Sequence, residues 1–190
     1  MSDQKLTAKD LLRALRLKYK DAAILAEVTL EDEEEAHRQR TFEVLHGRYR
    51  NSSKKWYDKK GLSYNAELPE GYHPDQVSTT MRRIDALMVD GQVLTAIEVK
   101  ISRADFFRDT DAKRAPWRRH TNRFVYLVPA GLVKPEEIPT GCGLWEYELG
   151  QIMVKKRAVI EKNPVPFPPS MMRYFIWRAF AAEKYSRRGV

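Results

Sequence analysis

The sequence predicts a mixed α/β domain, and three observations support this. Arg83–Val89 (RIDALMV) and Val93–Ile101 (VLTAIEVKI) flank Asp90-Gly91, a strong two-residue hairpin turn. Arg123–Val128 (RFVYLV) reads as a buried strand. Stretches with helical spacing of apolar residues lie before, between and after these runs, so helices and strands are interleaved rather than segregated.

Thr7-Ala8-Lys9-Asp10 is a capping-box start, and Leu11, Leu12, Leu15 and Tyr19 then recur at helical spacing, predicting a helix from Ala8 to Tyr19. Ala22–Leu30 (AAILAEVTL) follows as a strand interrupted by Glu27. Residues 31–80 read as an insertion without a core of its own: a polar helix over 33–47, then stretches rich in turn formers. After the hairpin, Ser102 and Asp105 form a second capping-box-like start for a helix over 104–120, which Pro116 should end or kink. Gly143–Tyr147 and Gln151–Lys156 suggest a last, more exposed hairpin. The link NPVPFPP stiffens the approach to a C-terminal helix capped by Ser170, with Met172, Phe175, Ile176, Ala179 and Phe180 on one face. The expected organisation is one domain over 1–160 containing the insertion, with 161–190 forming a link and helix packed on the core or on a partner.

Composition narrows the function. The chain has 190 residues and a formal charge of +8, from 34 Lys plus Arg against 26 Asp plus Glu. At 43% hydrophobic and 32% charged it is expected to fold. No apolar run approaches a membrane span and MSDQKLTAKD lacks a signal-peptide core, so a cytoplasmic location and no membrane partner are expected. The single cysteine, Cys142, excludes an internal disulfide framework and any four-cysteine zinc or iron–sulfur centre, and the four histidines show no pair at helical ligand spacing. Excess positive charge favours an anionic partner. After the acidic run Glu31–Glu35, residues 36–60 hold Arg38, Arg40, Arg48, Arg50, Lys54, Lys55, Lys59 and Lys60, with Tyr49, Trp56 and Tyr57 threaded among them. Cations neutralise phosphates and aromatic rings stack on bases, although a solvated helix and loop would look similar.

With Asp90-Gly91 as the loop, Asp85 falls opposite Ala96, and Asp85, Glu98 and Lys100 project from one face of the sheet. Ile84 and Met88 share the other face with Ile97, Val99 and Ile101 as core. Asp85 and Glu98 are then diagonal neighbours, with Cα atoms about 7–8 Å apart. Converging carboxylates repel one another, and a hard divalent cation such as Mg2+ or Mn2+ relieves this. The Val99 carbonyl offers a third oxygen, and Lys100 could orient a water or stabilise charge on a phosphorane. A cross-strand salt bridge of Lys100 with Asp85 or Glu98 is the competing reading.

Asp85, twelve intervening residues, then Glu98-Val99-Lys100 resembles the D…(D/E)xK signature of the PD-(D/E)xK nuclease superfamily. More narrowly, AAILAEVTL, RRIDALMV, AIEVKISRADFFRDTDAK, NRFVYLVPAGL and GLWEYE resemble the MmcB-like DNA repair family. That resemblance implies a restriction-endonuclease-like core, a central mixed β-sheet flanked by helices. It also implies Asp85 and Glu98 as metal-binding carboxylates, Lys100 as the catalytic lysine, and Glu27 as an additional acidic group; for Glu27 a solvent-facing strand residue is the rival. Ser102 and Asp105 match the family stretch, but helix capping already explains both. Asp109 and Lys113 match the following helix, and they are also spaced for an i,i+4 salt bridge. The chain departs from the family in placing about fifty residues between its first two strands, and in the sequence RAPWRRH after Lys113.

Two classes of function follow. One is a metal-dependent DNA nuclease of repair, recombination or phage-type processing. Its expected DNA contacts are Arg83, Ser102, Arg103, Arg108, Lys113, Arg118, Arg119, Lys54, Lys55 and Trp56. The other is a non-catalytic nucleic-acid or protein scaffold of the same fold. RNA as substrate and a homodimer stay open. His120-x-Asn122 is too little for an HNH nuclease, Cys142 between two glycines reads as an inert thiol, and Arg173, Arg178, Arg187 and Arg188 either touch phosphate or are solvated.

Overall fold

The computed structural model describes residues 6–37, 48–50, 55–57, 63–64 and 81–187, with side chains described except at 48–50, 55–57, 63–64 and 182–187. The chain divides into two compact units, residues 1–30 with 83–190 and residues 31–82.

In the first unit, helix α1 (Ala8–Lys18) opens on the expected capping box: the Thr7 hydroxyl accepts from the Asp10 N–H, and the Asp10 carboxylate accepts from the Thr7 N–H at 2.9 Å. A six-stranded sheet follows, ordered β1 (Ala23–Glu31), β5 (Met81–Asp90), β6 (Val93–Val99), β7 (Arg123–Pro129), β8 (Gly143–Glu148) and β9 (Gln151–Lys156). It is mixed: β5–β6 and β8–β9 are antiparallel, whereas β6–β7 and β7–β8 are parallel. The chain passes from β6 to β7 through α3 (Arg103–Phe107) and α4 (Asp111–His120), and α5 (Pro169–Arg187) closes the sequence. The expected α/β class, a mixed sheet flanked by helices, is what is found.

β7 shows why both faces are covered. Phe124, Tyr126 and Val128 belong to one buried cluster with Phe106 of α3, Trp117 of α4, Phe175 of α5 and Phe167 of the link before α5. Val125 and Leu127 belong to a second cluster with Leu11 and Leu15 of α1. A strand buried on both faces reads as a continuous apolar run, as RFVYLV does.

Several expectations are corrected. The hairpin loop is Gly91-Gln92, because Asp90 pairs with Val93; Gly91, at φ 59°, supplies the left-handed first loop position. The register therefore shifts by two residues from the expected one. Ile84 packs in the cluster of Leu87 rather than that of Met88 and Ile97, so strict alternation slips around Asp85. Ile101 lies beyond the end of β6 and is exposed rather than core. The helix expected over 104–120 breaks at Arg108–Thr110, where Asp109 turns inward, while Pro116 stays inside α4 because the burial of Trp117 outweighs one missing hydrogen bond. α5 begins at Pro169, whose fixed φ suits a first helical position, so Ser170 lies inside the first turn and does not cap. The expected apolar face of α5 is split: Phe175 is buried with Met171 and Tyr174 beside it, whereas Met172, Ile176 and Phe180 are exposed. Arg178 is committed to structure, donating to the Ala26 carbonyl at 2.6 Å, the Glu27 carbonyl at 3.4 Å and the Tyr174 hydroxyl at 2.9 Å.

The second unit carries its own antiparallel sheet, β2 (Arg48–Arg50), β3 (Lys55–Tyr57) and β4 (Ser63–Tyr64), with Trp56 paired to Tyr49 and to Tyr64. Residues 33–37 form the helical stretch α2. Arg82 grips Asp32 at 3.1 Å, tying the two ends of the insertion together.

Since no heavy atom lies within 4 Å of a β-carbon placed at Gly91, replacing it exposes the backbone cost alone. Gly91→Ala is expected to lower urea-unfolding stability by about 1–2 kcal/mol, the cost of a left-handed non-glycine residue. An unchanged midpoint would contradict the observed turn.

Candidate active site

Asp85 lies on β5 and Glu98 on β6, each one residue beyond the last paired positions, Ala86 and Ile97. Neither carboxylate is at a paired position, so the register behind the expected diagonal relation does not reach them, yet they lie near enough for the Asp85 charge to act on Glu98. The Asp85 Oδ2 accepts the Val99 N–H at 2.8 Å, so a side chain fixes the strand where the main-chain ladder stops.

Lys100 follows β6, its N–H donating to the Leu127 carbonyl at 3.1 Å. Its ammonium is buried, donates to Glu98 Oε1 at 2.8 Å and faces Asp105 Oδ2 at 3.7 Å. The competing salt-bridge reading is therefore real, but it runs along one strand with Glu98, not across the hairpin. The Ser102-x-x-Asp105 spacing predicts a cap role for Asp105. The Ser102 hydroxyl does accept the Asp105 N–H at 3.2 Å, yet the Asp105 carboxylate turns to Lys100 and, at 3.8 Å, to Arg108.

The electrostatics follow from burial. Withdrawal from water raises the Asp85 carboxyl above its usual range, against the opposing pull of the Val99 N–H and Lys100. Burial, then the neighbouring Asp85 charge, pushes Glu98 up to about 7. Burial alone would lower Lys100, but Glu98, then Asp105 and Asp109, outweigh it and hold the ammonium above the usual lysine range. Lys100 is thus a firm cation, and Asp85 with Glu98 is a carboxylate pair short of counter-charge.

Asp109 is part of a network that sequence reading missed. It pairs with Arg114 at 2.7 Å and accepts from the Tyr126 hydroxyl, not from Lys113 as the spacing suggested. Arg114 also donates to Tyr126 at 3.0 Å and to Asp111 at 2.5 Å. The available signal was a tyrosine inside a buried strand run, whose hydroxyl requires a partner.

The remaining expected residues scatter. Glu27 is exposed, at φ 50°. Arg103 is held by Glu137 at 2.6 Å and by the Leu132 carbonyl at 2.9 Å, over the Phe107 ring. Arg83, Arg108 and Lys113 are exposed, and Arg118 and Arg119 line a hollow at the far end of α4. Lys54 lies outside the described residues, and Lys55 and Trp56 are placed by their backbone in β3. His120 is structural, its Nδ1 on the Val165 carbonyl at 2.9 Å and its ring stacked on Phe167; Asn122 accepts the Leu94 N–H at 2.8 Å. Cys142 is buried in the core, and burial raises its thiol, as expected of an inert cysteine.

Two hard carboxylates lacking counter-charge suit a divalent cation whose other positions are filled by a backbone carbonyl and water. Among the described residues no group of three or more His, Cys, Asp or Glu side chains is arranged to hold a metal, so the protein would supply only these two carboxylates as side-chain ligands. Among the described residues no helix is long and apolar enough to cross a membrane.

No family model matches the chain, and no curated protein matches it. Among solved structures it is similar to SPO1766, a protein of unknown function from Silicibacter pomeroyi. The identity is 24%, over 56% of this chain and 67% of that one, with a TM-score of 0.41.

Because Glu98 holds its proton more tightly when folded than its ordinary value of 4.5 allows, the stability from that protonation is complete below about pH 4.5 and lost as pH rises through about 7. In metal-free buffer the wild type should lose on the order of 2 kcal/mol of unfolding free energy across that window relative to Glu98→Gln. Parallel pH profiles for the two proteins would refute the assignment.

Proposed function

We propose that the chain is a Mg2+- or Mn2+-dependent nuclease with a restriction-endonuclease-like core of the PD-(D/E)xK kind, similar to MmcB-like proteins. It hydrolyses phosphodiester bonds of DNA in repair, recombination or phage-type processing. The observation that supports this reading is the meeting of Asp85, Glu98 and Lys100 at the end of one hairpin, two carboxylates short of counter-charge beside a buried cation.

Asp85, Glu98 and the Val99 carbonyl would hold the ion, which when bound polarises the phosphodiester and lowers the pKa of a water. The protein's own part is positional. The Val99 N–H fixes the Asp85 carboxylate in place. Lys100, kept protonated by Glu98, Asp105 and Asp109, presents N–H donors and positive charge to the phosphate oxygens as negative charge builds on them. Hydrolysis adds water across one P–O bond, and the leaving oxygen departs with the proton. Arg83, Arg108 and Lys113, exposed on the same unit, are available to backbone phosphates. Arg103, engaged by Glu137, contributes less.

A second reading has its own observation. Glu98 Oε1 already accepts from Lys100 at 2.8 Å, so that one oxygen has a partner without a metal, as in a DNA-binding scaffold.

The test is cleavage of single-stranded, duplex, flapped and four-way DNA, with RNA counterparts, with and without Mg2+ or Mn2+. Cleavage should need the metal and fall by about 10²–10³-fold or more in Lys100→Ala and Asp85→Asn, with circular dichroism unchanged. Salt-dependent DNA binding without cleavage of any substrate would favour the scaffold. Preference for the RNA counterparts would move the substrate class.

A further inference from the structure

A hollow of about 280 Å3 lies on the α1 face of the sheet, where its lining includes Val125 of β7 and Trp145 of β8, both members of the cluster that packs on α1. Arg123, at the first position of β7, also lines it. Arg123 pairs with Thr95 whereas Leu127 pairs with Val99, so Arg123 stands four residues, about 13 Å, from the carboxylate end of the sheet. Glu98 pairs with Tyr126, which belongs to the cluster on the other face. The hollow is thus separated from the candidate active site by both strand end and sheet face.

Arg123 lies two residues before Val125, so alternation along β7 turns its side chain to the same face, beside Tyr19. The charges agree: burial raises the Tyr19 hydroxyl, Arg123 pulls it back, and Asp90 adds to the rise. The Arg123 Nε is buried and has no hydrogen-bond partner among the described residues. An arginine that only sheltered its stem would keep its polar atoms in water, and a buried donor without a partner calls for an explanation. A second guanidinium, Arg157, lines the same hollow from the position just after β9.

The frame of the hollow is fixed by hydrogen bonds to main-chain carbonyls. The Lys18 ammonium, at the end of α1, donates to the Ile152 carbonyl of β9. Beyond β9 the Val159 N–H donates to the Gly141 carbonyl at 3.0 Å and the Glu161 N–H to the Asn122 carbonyl at 2.9 Å, which straps this segment across the start of β7 and β8. Gly143 gives the strap room, since a β-carbon there would lie 3.0 Å from the Ala158 nitrogen. Apolar surface faces the same hollow. The Tyr19 ring stacks on Trp145 with centroids 5.2 Å apart and planes 20° from parallel, while Val154 and Ile160 are 44% and 51% exposed.

We propose that this hollow binds a small monocarboxylate with an apolar or aromatic body. The carboxylate accepts from the guanidinium groups of Arg123 and Arg157, whose planar forks match its two oxygens. The body packs on Val154, Ile160 and the Tyr19–Trp145 pair. Apolar walls with a few fixed polar groups are the usual make-up of a small-molecule site, and the volume, close to the lower bound for such sites, sets a small ligand. A monoanion fits better than a phosphate dianion, because Asp90 acts on Tyr19 alongside Arg123 and offsets part of the cationic field. The proposal stands whether or not the chain cleaves DNA.

Calorimetric titration of the full chain tests it with phenylacetate, its neutral analogue phenylacetamide, and phenyl phosphate. Phenylacetate should bind saturably and about tenfold or more tighter than phenylacetamide, and Arg123→Gln should weaken it by a similar factor. Arg157→Gln, a change at an exposed side chain, should also weaken phenylacetate and serves if Arg123→Gln fails to fold. No saturable binding of phenylacetate, equal binding of the amide, or binding unchanged in Arg157→Gln would overturn the proposal. Tighter binding of phenyl phosphate than of phenylacetate would overturn the assignment to a monocarboxylate.

Discussion

Lys100 is buried at the end of β6, and a buried ammonium is tenable only among carboxylates. Three elements supply them: Glu98 from the same strand, Asp105 from α3, and Asp109 from the turn between α3 and α4. The geometry of the β6–α3–α4 crossover is therefore tied to one positive charge. Asp109 is in turn held by Arg114 and Tyr126, so α4 and β7 are locked to the same point. Removing one partner from such a network costs more than the pair contributes, because the remaining charge is left buried.

The same burial makes Asp85 and Glu98 uncomfortable. Lys100 offsets one negative charge, and its other partners are acids too. A proton on Glu98 near neutrality is one way to relieve the pair, and a divalent cation is another. A purely structural salt bridge would need only Glu98 and Lys100. The second carboxylate, pinned by the Val99 N–H, adds a negative charge that the Glu98–Lys100 bridge does not neutralise.

Much of this was legible in the sequence. The helix–strand order, the capping box at Thr7 and the placement of Asp85, Glu98 and Lys100 on one face all follow from local patterns. The hairpin register lies two residues from the one that an Asp90-Gly91 loop predicts, and over Ala86–Asp90 that shift keeps every side chain on its expected face, because side chains alternate with period two. What local pattern missed was set by tertiary contacts. Ser102-x-x-Asp105 reads as a cap whichever way the carboxylate turns, and a nearby buried lysine decides the direction. The break at Arg108–Thr110 depends on Tyr126, distant in sequence, drawing Asp109 inward. Turn-rich composition in the insertion hid β2, β3 and β4, whose strands are only two or three residues long. The apolar residues of α5 surround much of the helix, so spacing alone does not choose between Met171, Tyr174 and Phe175 on one side and Met172, Ile176 and Phe180 on the other.

The Asp85–Glu98 pair, raised by burial and by mutual repulsion, is the proposed cation site. Calorimetric titration of Mn2+ into the protein without nucleic acid, compared with Asp85→Asn, tests it most directly. The variant's amide oxygen can still accept the Val99 N–H, so the fold is expected to persist while one negative charge is lost. The account predicts one saturable Mn2+ site in the wild type, weakened by about tenfold or more in the variant, with protons released as the metal binds. Absence of binding at millimolar Mn2+, or equal binding by both proteins, would contradict it.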